Sequence, residues 1–163
     1  MQIQCGPNTV NNTKMEEAMD SSIIAAARHF VTVTLLHPIL VNFTAALIPV
    51  SIGSDILAGY FKNKSLRDTA WWTMLYATLI TPFSAIAGWL FWMQDDNGVL
   101  RMTIHKYLGT TLAVLLIGLF LWRLKFHRER RWVSVGYLIV GVVFVLALAV
   151  QGHLGGEQVF SGM

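Results

Sequence analysis

Leu36-His37-Pro38-Ile39-Leu40-Val41-Asn42-Phe43 opens a run that stays apolar to Tyr60, with one acid, Asp55, inside it. A run of about 20 mostly apolar residues, at about 1.5 Å each, crosses the hydrocarbon core of a bilayer as a helix. In lipid each backbone N–H and C=O must find its partner within the segment, so a helix is the structure such a run takes. Taking the first span as 38–60, three further runs follow at 70–93, 103–122 and 132–151. Short charged connections separate them, which makes neighbouring helices antiparallel. The expected fold is therefore all-α, a four-helix up-down transmembrane bundle over 37–160.

Composition agrees. Of 163 residues, 55% are hydrophobic and 13% charged, about half the charged share of a soluble domain. That leaves too little polar surface to cover a water-soluble globule. The one cysteine, Cys5, excludes an internal disulfide. Residues 1–20 are expected to form a flexible polar tail, with no contiguous apolar core of the kind a cleavable signal peptide needs. Residues 21–36 mix Ile23, Ala26, Phe30 and Val31 with Arg28 and His29, and read as an interfacial helix or an extension leading into the first span.

Aromatic and basic residues set depth and orientation. Trp71 and Trp72 open the second span, and Trp89 and Trp92 close it. On a helix these pairs lie about 27–30 Å apart, one hydrocarbon thickness, as an aromatic belt requires. Lys62, Lys64 and Arg67 lie in one connection, and Arg123, Lys125, Arg128, Arg130 and Arg131 in another. Both fall at the same end of an up-down bundle, so both are expected to be cytoplasmic, with the N- and C-termini on the outer side. On the second span Ala77, Thr81, Ser84 and Gly88 form a small-residue stripe suited to close helix packing.

This topology brings His37, His105 and His153 to one outer face, from three different helices. Imidazole is a common ligand for haem iron, copper and zinc. The three histidines are therefore candidate haem or metal ligands. His37 and His105, on diagonal helices, are the expected axial pair. Gly109, one turn below His105, would make room for a macrocycle. No Cys-x-x-Cys-His attachment is present, so a haem would be b-type. A histidine at headgroup depth is also tolerated as an ordinary interfacial residue, and His127, inside a basic loop, reads as solvated. Asp55 lies 18 residues, five turns, after His37 on the same stripe. It is a candidate for a proton path, or for an end-of-span ion pair with Lys62, Lys64 or Arg67.

The His37-Pro38-Ile39-Leu40-Val41-Asn42-Phe43 opening, Asp55, His105 at the start of the third span and Gly152-His153-Leu154-Gly155-Gly156-Glu157-Gln158-Val159-Phe160 together resemble the bacterial membrane-protein family called domain of unknown function 2231. The resemblance covers about 36–160. It implies four spans and a multi-pass protein of the bacterial cytoplasmic (inner) membrane. Asn42 stands where members often carry a second histidine, and Thr44 where they often carry proline. Some relatives occur alongside haem-binding domains, which implies redox chemistry by association. Gly155-Gly156 is expected to cap the fourth span and turn Glu157 toward the histidines, where it could be a ligand, a group bonded to a ligand, part of a proton path or a solvated acid.

Three functions remain open from sequence. One is a b-type haem or metal-binding electron-transfer component, working with a membrane or periplasmic redox partner or as a homo-oligomer. Another is an accessory membrane subunit with interfacial histidines. The third is a small transporter or channel. No catalytic constellation marks a stand-alone enzyme, and nothing supports nucleic-acid binding; lipid is the expected surrounding.

Overall fold

The computed structural model describes residues 7–91 and 100–161, with side chains over 19–90, 100 and 103–156. Five helices follow in order: α1 Pro7–Val33, α2 Leu36–Phe61, α3 Lys64–Phe91, α4 Leu100–Arg128 and α5 Val135–Ser161. Four segments are long and apolar enough to cross a membrane: Leu36–Phe61, Lys64–Leu90, Thr103–Arg128 and Val135–Gly156. Helices α2 to α5 pack in a ring, each on the next and α5 back on α2, so α2 and α4 are diagonal. The fold is the expected all-α bundle.

Its core is thin. Ile48, Ile52, Met74, Leu116, Tyr137 and Phe144 meet along the axis. In the α5 span only 17% of the apolar window is buried, so most of its Val, Ile and Leu surface faces outward, where lipid would solvate it. Close approach replaces hydrophobic drive. A Cβ on Gly141 would stand 2.5 Å from Ile52 Cδ1, so the missing side chain is what lets α2 press against α5. The expected small stripe on α3 is buried at Ala77, Thr81 and Ser84. It faces α2, with Thr44 Oγ1 and Thr81 Oγ1 3.3 Å apart and Ser51 donating to the Ala70 carbonyl at 2.8 Å.

Three boundaries differ from the sequence reading. Where a polar tail was expected, α1 already runs as helix from Pro7. Proline suits the first helical turn, and no further proline or glycine follows before Val33. Next, α4 continues past 122 to Arg128. Arg123 and Phe126 are buried, while Lys125, His127 and Arg128 complement the negative end of the helix. Finally, Gly155-Gly156 does not cap α5, which stays helical to Ser161.

The helix ends at the basic end of the bundle share a device. α2 closes on Lys62 at φ 53°, with the Lys62 and Asn63 N–H groups bonded to the Ala58 carbonyl. α4 closes with Arg130 at φ 52° and Arg131 N–H on the Phe126 carbonyl. Glycine is the usual residue in this left-handed cap, and a side chain there costs on the order of 1–2 kcal/mol.

Candidate functional site

Two polar assemblies lie at opposite ends of the bundle. At the basic end, Arg123 of α4 meets Asp55 of α2. Arg123 Nε donates to Asp55 Oδ2 at 2.7 Å, and Nη2 to Oδ1 at 2.9 Å. Nη2 also donates to the Arg67 carbonyl of α3 at 3.1 Å. Arg123 is 0% exposed and Asp55 2%, so both charges are out of water. The two-pronged geometry is what a guanidinium offers a carboxylate. The buried Tyr137 of α5 sits beside the pair, so the node ties all four spans together. Of the expected partners Lys62, Lys64 and Arg67, none forms the direct ion pair with Asp55; the Arg67 charge acts on it from a distance, and the Arg67 carbonyl accepts from Arg123. Between His37 and Asp55, the Thr44 and Ser51 hydroxyls are committed to helix-to-helix and helix-backbone bonds.

At the other end, His37 of α2 and His105 of α4 line one cavity of about 40 Å³, together with Gly88, Gly109 and Gln151. The His37 ring lies against Gly88, where a Cβ would come within 2.7 Å of its Cε1. Its Nδ1 is 3.0 Å from the Ser84 carbonyl. A carbonyl only accepts, so in the neutral ring Nδ1 carries the proton and Nε2 the lone pair. A backbone carbonyl holding the far nitrogen is also how metal-binding histidines are oriented. The His105 ring lies against Gly155, where a Cβ would be 2.7 Å from its Cε1. Here lies the real use of that glycine: close approach within a helix rather than a cap. Gln151 Nε2 donates to the His105 carbonyl at 2.8 Å and lies 3.4 Å from His105 Nε2. Two buried polar atoms of this wall, His105 Nδ1 and Gln151 Oε1, have no hydrogen-bond partner among the described residues. Buried groups of this kind ordinarily take a water, an ion or a ligand.

Sequence reasoning placed His37, His105 and Gly109 together, and they line the same cavity. His153 does not join them. It is exposed, two residues and about 200° around the helix from Gln151, which faces inward. Gln151 was missed because an amide gives no ligand-type signal; its place one turn before Gly155 was the available clue. The Glu157 side chain lies outside the described residues. His127 is exposed but not merely solvated: its ring stacks on Trp71, centroids 3.9 Å apart.

The chemistry of the donors and the size of the space disagree about haem. Two imidazoles from diagonal helices match an axial pair, and buried Lys106 in the same wall could meet a propionate. Yet pockets for molecules of that size are about 300–1,000 Å³, and the imidazole rings themselves fill the notches at Gly88 and Gly155. A macrocycle does not fit this packing; an ion or a water molecule does. Among the described residues no group of three or more His, Cys, Asp or Glu gathers around a common point.

The profile of a family described as predicted membrane protein (DUF2231) matches residues 34–162. The chain belongs to this family. The match takes in all four spans and both polar assemblies of this DUF2231 member, and leaves α1 wholly outside. Asn42 is exposed on α2. No curated protein and no solved structure matches the chain.

Proposed function

We propose that this integral membrane protein holds a metal centre between His37 and His105 and acts as an electron-transfer component of a membrane redox chain. The observation that carries the reading is the shared cavity, into whose wall two diagonal helices each send an imidazole. Gln151 Oε1, buried there without a partner, supplies a third neutral donor. Imidazole suits copper, iron and zinc; copper and iron are the two that carry electrons. A b-type haem is the second reading. The diagonal histidines and Lys106 favour it, and it requires α2 and α4 to stand further apart than they do here. In both readings the cavity end faces outward and the basic loops face the cytoplasm of a bacterial inner membrane, as the excess of Lys and Arg at one end supports. α1 then lies along the outer interface.

The test is elemental analysis and an absorbance spectrum of protein purified in detergent. About one copper or iron per chain without a Soret band supports the ion. A Soret band that shifts on reduction supports haem. His37→Ala and His105→Ala should each abolish the signal, while His153→Ala should leave it. Protein with neither metal nor Soret band leaves the accessory-subunit reading in place.

A further inference from the structure

The basic end carries a second cavity, of about 420 Å³, between the start of α3 and the end of α4. Lys64, Arg67, His127 and Arg130 line it over a floor of Phe126. No acid is among these lining residues. Asp68 is 4.0 Å from Arg67 and largely exposed, and Glu129 is engaged by Arg131 at 3.2 Å. Charge at a helix end usually opposes the helix dipole, and Lys125 and Arg128 at the end of α4 follow that rule. Lys64 and Arg67 do not: they stand in the first turn of α3, a positive helix end that disfavours cations. Arg130 holds its place through a left-handed backbone that glycine would adopt more easily. Cations thus converge here against two local preferences, and their attraction to an anion in the cavity would offset the cost of both.

The surroundings identify the anion. Outside the lining, Trp132 stands against Arg67, with Lys62 Nζ 5.6 Å and Arg67 Cζ 5.3 Å from its ring. From His127 an aromatic column descends the α3/α4 seam: His127 on Trp71 at 3.9 Å, then Trp71 on Phe120 at 5.5 Å. Tryptophans mark headgroup depth, and the column continues from there into the apolar part of the spans. A basic pocket joined to an apolar lane is the form a phospholipid requires; a free phosphate would use only the first half. We infer that the pocket at Lys64, Arg67, His127 and Arg130 binds the phosphate of an anionic phospholipid, with an acyl chain lying on Trp71 and Phe120.

Thermal unfolding and native mass spectrometry of the full chain in a neutral detergent test this. Phosphatidylglycerol is expected to stay bound and raise Tm, phosphatidylcholine to do neither, and millimolar inorganic phosphate to have little effect. Lys64→Gln with Arg130→Gln should weaken phosphatidylglycerol binding about tenfold, and Arg131→Gln, outside the cavity, should not. Arg130→Gly separates a cap from a ligand site. It should raise Tm without lipid by relieving the backbone, while reducing the lipid-dependent rise. Equal stabilisation by phosphatidylcholine overturns the site, and so does an unchanged lipid effect in Arg130→Gly. Inorganic phosphate acting as strongly as the lipid overturns the lipid assignment. None of these outcomes depends on a metal at His37 and His105.

Discussion

The two polar assemblies are built on the same diagonal, α2 to α4, and differ in what joins the two helices. At Asp55–Arg123 the carboxylate accepts two charge-assisted bonds, and a carbonyl of a third helix accepts a further one. At His37–His105 the rings lie against glycines, and two buried polar atoms of the wall are left unsatisfied. Among the described residues the node too leaves two buried atoms without a hydrogen-bond partner, Arg123 Nη1 and the Tyr137 hydroxyl, so the ends differ in charge: a bidentate ion pair clamps the helices at one of them. The chamber has imidazoles and an amide where the node has that clamp.

Breaking the node should therefore have the largest effect on stability. Arg123→Ala strands a buried carboxylate and should cost about 3–5 kcal/mol in detergent unfolding. The double change Asp55→Leu with Arg123→Leu should recover most of that loss, because no lone charge remains. Equal losses in the single and double variants would mean that the contacts, not the charges, hold the helices. Next in size is Gly88→Ala. The added methyl would displace the His37 ring and break its bond to Ser84, costing about 1 kcal/mol and lowering metal content. His37→Ala loses the same bond to Ser84, so its change in Tm should be comparable to that of Gly88→Ala and well below that of Arg123→Ala, while any bound metal is lost. A collapse of the fold in His37→Ala would erase the distinction between the two ends. Smallest is Thr44→Val, expected to cost about 0.6 kcal/mol through its bond to Thr81, as membrane helix-to-helix hydrogen bonds do.

The fold was legible because its strongest signals are one-dimensional. Hydropathy, tryptophan belts and basic loops all repeat along the chain at one membrane thickness. The node was half legible: Asp55 announced itself inside an apolar run. Arg123 did not, because it looks like the first charge of a basic loop and becomes core only when α4 is seen to continue through it. At the chamber, counting histidines found the pair but also admitted His153, which helical phase turns outward. Gln151, its true neighbour in the wall, carries neither charge nor ligand reputation. Gly155 carried a real signal that was read for backbone conformation, whereas its role is the space it leaves for His105.

The span between Asp55 and Arg123, 68 residues along the chain, has a consequence in time. At about 5–20 residues per second of synthesis, Asp55 is made roughly 3–14 s before Arg123. Throughout that interval an acid without its partner must either remain beside the insertion machinery or enter the bilayer protonated. The bidentate bond is therefore also a late event in biogenesis, the moment at which the first span to be made is committed to the membrane by the third.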